Sequence, residues 1–235
     1  MNNKKLFAVR ILCMILIVVS AGYLIWVVTE EIRNRNLYEG ITRENYREHN
    51  SDGVAYLEIE GLGLHYPVAQ GEDNTFYLDH SYLKEKSEYG SVFCDYQNRP
   101  EAPLSKPQNL VFYGHSMYTG SMFAPLKEYL LNADRVDFLE RCAYIDVDVL
   151  GDARRYRVFA AYYADAESVE ETQTMFGSLT AMTDWCRNRA GQSLIPVPEL
   201  PEVIVQTLTL QTCNYNSRGE RIYVCAYLEE KNGGK

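Results

Sequence analysis

The sequence predicts a mainly β domain, an antiparallel barrel or sandwich with a few helices, carried behind one transmembrane helix. Three observations lead there. Short runs rich in β-branched and aromatic residues recur after residue 54, and turn-prone residues rather than long helical periods separate them. Nineteen tyrosines suit strands with a broad amphipathic surface. Ile11–Val28 is a run of 18 residues without a charge.

At about 1.5 Å per residue that run spans roughly 27 Å, close to a hydrocarbon core of about 30 Å. Leu6–Arg10 adds slack, because Arg10 can snorkel to the headgroups. Residues 6–28 are therefore read as a membrane anchor, 1–5 as a cytoplasmic tail and 29–53 as a charged juxtamembrane helix or stalk. Residues 54–235 form the folded domain. A cleaved signal peptide is the competing reading, with Val19-Ser20-Ala21 as a cleavage site. The apolar run continues through Tyr23–Val28, which a signal peptide does not need. Lys4, Lys5 and Arg10 on the N-terminal flank favour N-inside, C-outside, although Arg33 and Arg35 partly offset them.

Residues 1–35 hold five basic and two acidic residues, which leaves 18 basic and 30 acidic in the remainder. That acidic domain disfavours nucleic acid as a partner, and an anionic ligand would need a local positive site. Of six cysteines, Cys13 lies in the apolar run and five lie outside it. An odd number leaves one thiol unpaired within the chain. No CxxC pair and no His/Cys cluster with zinc spacing occurs, so no metal or cofactor is expected.

Within the domain, VAYLEIEGLGLHYPVAQ from Val54 reads as two short strands around a Gly61–Gly63 turn. Gly90–Tyr96 and Asn109–His115 are further strands, the second ending in Gly-His. Ser121–Leu131 has helical apolar spacing. AYIDVDVL and RYRVFAAYY flank Gly151-Asp152-Ala153 as a hairpin. Ser178–Ala190 reads as a helix capped by Ser178, with Arg187 and Arg189 in its last turn and Gly191 stopping it. Val203–Leu210 and Arg221–Leu228 complete the strands.

Two strand ends carry chemistry. Cys213 follows a β-rich run, and His115 alone of four histidines directly follows an apolar strand. A cysteine nucleophile needs a base or cation nearby to favour thiolate, although a buried inert cysteine is the more ordinary reading of position 213 taken alone, and a structural loop histidine that of position 115. Strand parity puts Ile222, Val224, Ala226 and Leu228 in the core and Arg221, Tyr223, Cys225 and Tyr227 on the outer face. Cys225 then lies about 13 Å along from Arg221, too far to share its site. Arg218 sits at a hairpin tip facing solvent, whereas Arg221 reaches Cys213 if their strands pair.

TLQTC (Thr209–Cys213) followed by Arg221-Ile222-Tyr223-Val224 resembles the TLxTC…R signature of sortases. YGHSMYTGSMF (Tyr113–Phe123), HYPVAQGEDNTFYLDH (His65–His80) and GSVFCD (Gly90–Asp95) are similar to class B sortase blocks. The resemblance covers about residues 54–228. It implies a closed β-barrel of about eight strands with peripheral helices, and a cysteine transpeptidase needing no cofactor. Cys213 is then the nucleophile, His115 the general acid/base and Arg221 the oxyanion and substrate stabiliser, while Asn74, Leu78, Gln211 and Thr212 match substrate-contacting positions. The implied substrates are secreted proteins of a Gram-positive cell bearing a C-terminal NPxTx-like sorting signal. The implied acceptor is an amine of the lipid-linked peptidoglycan precursor at the extracellular face of the membrane.

The sequence departs from the pattern in three places. Only seven residues separate Cys213 from Arg221, Gln211 stands where a smaller Ser is frequent, and Asn214 supplies no carboxylate beside the nucleophile. A pilin-polymerising sortase, a non-catalytic sorting-peptide binding domain and a plain hydrolytic cysteine protease are the alternative functions.

Overall fold

The computed structural model describes residues 3–214 and 219–229. It divides into two compact units, Met1–Gly40 and Ile41–Lys235. The first is helix α1 (Asn3–Tyr38). Its stretch Val9–Tyr38, 30 residues, is long and apolar enough to cross a membrane, and its apolar side chains are exposed. The anchor reading therefore has its helix.

The second unit begins at Ile41, so residues 41–53 lie within it. Short helix α2 (Tyr46–His49) buries Tyr46. Asn50, also buried, donates to the Tyr77 hydroxyl at 2.9 Å and to the Tyr82 carbonyl at 2.8 Å.

Eight strands close the barrel: β1 (Gly53–Ile59), β2 (Leu64–Gln70), β3 (Val92–Cys94), β4 (Gln108–Tyr113), β5 (Tyr144–Val149), β6 (Asp152–Asp165), β7 (Gln206–Cys213) and β8 (Glu220–Leu228). Their order is β1-β2-β3-β4-β7-β8-β6-β5, with β5 returning to β1. Closure removes the open edges that would otherwise template pairing with other chains.

The all-antiparallel expectation does not hold, because β2 pairs β3 and β4 pairs β7 in parallel. Parallel neighbours need long crossovers, and the chain supplies them in residues 71–91 and 114–205. The second crossover carries β5, β6 and three helices, α3 (Glu128–Leu131), α4 (Val136–Arg141) and α5 (Leu179–Gln192). Ser121–Leu131 is not one helix. Pro125, which lacks an N–H, opens a 3-10 turn at Ala124–Lys127 that leads into α3.

Helix α5 starts as the sequence implies, with the Ser178 hydroxyl accepting from the Ala181 N–H at 3.1 Å. It passes through Gly191 and ends at Gln192. It also changes the meaning of the outer face of β8. Tyr223, Cys225 and Tyr227 are buried in one cluster with Met182, Trp185 and Cys186 of α5 and Phe176 before it. Strand parity was legible; the helix lying over that face was not.

Arg189, in the last turn of α5 as the sequence implies, is buried. Its Nη1 meets Glu171 Oε1 at 3.0 Å, with both side chains at most 5% exposed. The Tyr162 hydroxyl donates to the other Glu171 oxygen, and the Arg189 guanidinium lies 5.1 Å over the Trp185 ring. This ion pair clamps α5 to the segment that follows β6. Glu171→Gln is expected to cost about 1–3 kcal/mol, because it removes the buried charge partner while Glu170, 3.7 Å from the guanidinium, remains. Urea denaturation of both proteins measures the difference.

Candidate active site

Register brings the three candidate residues together. Strands β4 and β7 run parallel with Tyr113 beside Gln211. Beyond Tyr113 the chain stays latched to β7: the Gly114 N–H donates to the Gln211 carbonyl at 3.2 Å, and the Thr212 hydroxyl donates to the Gly114 carbonyl at 2.8 Å. His115 therefore emerges beside Cys213, two residues past the last in-register pair on each strand. Gly114 must be glycine, since a Cβ there would lie 2.7 Å from the Phe123 ring.

On the other side, Cys213 is directly opposite Arg221 in the antiparallel β7–β8 ladder. Directly opposed residues have Cα atoms roughly 4.5–5.5 Å apart and side chains on the same face. The expected strand β7 begins three residues late, at Gln206, and continues to Cys213 because its pairing with β8 extends that far. Thus Cys213 is the last rung of a ladder, with His115 on one flank and Arg221 on the other. Arg218 lies outside the described residues.

The imidazole is oriented from the side away from the thiol. His115 Nε2 lies 2.7 Å from the Leu78 carbonyl. A carbonyl only accepts, so Nε2 carries the proton and Nδ1 is the nitrogen left for Cys213. The hydrogen bond between them raises the His115 pKa above the usual imidazole value, with the Leu78 carbonyl adding to the effect and burial and Arg221 opposing it. The same bond pushes the Cys213 thiol down, aided by the positive charge of Arg221 and opposed by burial.

All six cysteines are free thiols. Burial pushes Cys94, Cys142 and Cys186 up and holds Cys225 at about 11. Cys225 contacts Tyr162 and Thr209 under α5, in agreement with its exclusion from the site. The other histidines are engaged elsewhere: His49 in α2, His65 beside Glu58, and His80 stacked on Phe76.

The four candidate substrate positions divide. Leu78 is 43% exposed, and its carbonyl holds His115. Gln211 is half-buried, and its Oε1, a buried atom, has no hydrogen-bond partner among the described residues. Thr212 is buried with its hydroxyl on Gly114, and Asn74 uses both ends of its amide, donating to Asp95 and accepting from the Tyr96 N–H.

The sequence reading missed the Leu78 carbonyl and the residue that makes room for it. Gly90 has φ of +57°, and a Cβ there would meet the Leu78 and Tyr77 carbonyl oxygens at 2.6 Å. Gly90→Ala is expected to displace the His115 acceptor and lower turnover about tenfold to a hundredfold, measured by steady-state peptide cleavage. A Gly in a strand-flanking position was the available signal.

A cavity of about 910 Å³ lies at the other pole of the barrel, lined by Arg43, Arg154, Arg155, Leu179, Val205 and Leu228. Val205, just before β7, is eight residues from Cys213, or about 26 Å of extended chain. Each of its arginines is matched by a carboxylate: Asp148, Asp152 and Asp146. Among the described residues no cluster of His, Cys, Asp or Glu could hold a metal.

The sequence model of the Sortase domain family matches residues 57–229. Sortase B of Listeria monocytogenes is 34% identical over 166 residues, covering 70% of this chain and 64% of that protein, a little under two thirds of its length. Sortase B of Staphylococcus aureus is 25% identical over 246 residues, covering 96% and 98%. The crystal structure of Clostridium perfringens sortase B superposes with a TM-score of 0.70 at 29% identity, covering 80% of this chain and all of that one. The closed mixed barrel, the family match over most of its length and the sortase B relatives agree: this chain belongs to the sortase family, in the company of its class B members.

Proposed function

We propose that the chain is a membrane-anchored cysteine transpeptidase that joins secreted proteins to the cell wall. The observation that carries this reading is the strand register that sets Cys213 between His115 and Arg221, with its thiol pushed down. In the first half-reaction Cys213 gives its proton to His115 Nδ1, and its Sγ attacks the Thr carbonyl carbon of an NPxTx-like sorting signal. Arg221 donates to the oxygen as it gains negative charge. The C–N bond then breaks, and His115 gives its proton to the departing amine, leaving a thioester. In the second, an amine of the peptidoglycan precursor attacks the thioester, His115 takes up its proton, and Cys213 leaves as thiolate. No step needs a metal or cofactor.

Leu78 is offered to the peptide, while Asn74, Gln211 and Thr212 support the walls of its site. The α1 helix would hold the enzyme at the extracellular membrane surface with the N-terminus in the cytoplasm. Lipid-linked acceptor and membrane-retained substrate would share that surface, which raises their effective concentration.

The test supplies an NPxTx peptide with increasing amine. The expected result is a transfer product that grows with amine at the expense of hydrolysis. Hydrolysis alone, unchanged by amine, would make the enzyme a plain cysteine protease.

A further inference from the structure

His115 is held at two points that belong to different segments. Its backbone leaves β4 just past Tyr113, and its Nε2–H is anchored on the Leu78 carbonyl, in the 3-10 turn Phe76–Leu78. One side chain bridges the two segments. Asp95, the residue after β3, is only 5% exposed. Its Oδ2 accepts from the Tyr113 hydroxyl at 2.7 Å and from Asn74 Nδ2 at 2.8 Å, and its Oδ1 accepts from the Gln97 N–H at 2.8 Å.

Tyr113, the last residue of β4, precedes His115 by two residues. Asn74 precedes the turn that offers Leu78 by two residues, and its own amide is oriented by the Tyr96 N–H at 3.0 Å. The Gln70 side chain steadies the site from below by donating to the Asp95 carbonyl at 2.7 Å.

The donor pattern explains why an acid stands here. Three donors converge on two oxygens, and a carboxylate accepts at both. An asparagine would turn an NH2 group toward either the Gln97 N–H or the Tyr113–Asn74 pair. A carboxylate buried on neutral donors is a poor choice for stability alone. We propose that Asp95 is a positioning residue for His115, tying the turn that supplies the imidazole's acceptor to the strand that supplies the imidazole, and so fixing which ring nitrogen faces Cys213.

The proposal rests on the Cys213–His115 pair as the working centre, but not on the identity of the substrate. Its test is accordingly free of peptide. The rate of Cys213 alkylation by iodoacetamide is followed against pH in the full chain in detergent micelles, by mass spectrometry of the Cys213 peptide. Asp95→Asn is expected to move the midpoint toward that of an ordinary thiol and slow alkylation near neutral pH about threefold to tenfold. Tyr113→Phe, a gentler change that keeps the carboxylate, is expected to shift it in the same direction by less. Both effects should vanish in a His115→Gln background, because nothing remains to be positioned.

A shift that persists without His115, or no shift in either variant, overturns the proposal. A purely structural Asp95 would lower the melting temperature and leave the alkylation profile in place. Failure of the amine-transfer experiment would overturn the transpeptidase function without touching this result, so the two can fail separately.

Discussion

Cys213→Ala is expected to abolish cleavage of a fluorogenic NPxTx peptide, a loss on the order of a thousandfold or more, while the barrel folds unchanged. The thiol is half-buried and its removal leaves a cavity of a single sulfur at a strand end, so stability should change little. The chemical loss is large because the covalent route disappears with the nucleophile, and the remaining groups give only residual rate. The four thiols buried in the barrel unit are no substitute, since burial pushes each one up. Product formation by the Cys213→Ala enzyme at more than about a hundredth of the normal rate would remove Cys213 from the mechanism.

Arg221→Ala should lower kcat about a hundredfold to a thousandfold with a smaller change in KM, as for loss of an oxyanion donor. Arg221→Lys keeps the charge but loses the planar fork, and should recover only part of the rate. The pH dependence supplies a second, independent sign. Arg221 helps hold the Cys213 thiol down and opposes protonation of His115. Removing its charge therefore moves both titrations upward, so thiolate appears at higher pH and the imidazole stays protonated to higher pH. Steady-state kinetics and a pH profile of Cys213 alkylation measure the two effects. A KM-only change in Arg221→Ala would make the residue a substrate anchor instead.

The three candidate catalytic residues were legible because each sits at a strand end with a local signature. Cys213 closes an alternating run, His115 follows Tyr-Gly after an apolar strand, and Arg221 opens the strand that pairs with the cysteine. The barrel was legible in its strands but not in its two parallel pairings, because a crossover of dozens of residues leaves no local trace in the strands it joins. The buried outer face of β8 was equally hidden. Alternation tells which residues share a face, and only tertiary packing tells whether a helix covers it. The Leu78 carbonyl escaped for a different reason: every residue carries one, so no residue type announces it. The side chains of Asn74 and Thr212 turn inward to Asp95 and Gly114, a pairing that no local pattern announces.

The parallel pairing of β4 with β7 also sets when the thiol can become reactive. His115 and Cys213 are separated by two strands and three helices of intervening chain, and their contact needs the ladder that this whole crossover makes possible. Contacts of such long sequence separation form late, after the local hairpins β1–β2 and β5–β6. An unfolded chain therefore carries an ordinary, mostly protonated cysteine at position 213. Under the proposed function, closing the barrel is what switches the nucleophile on, so maturation of the fold and arming of the enzyme would be one event.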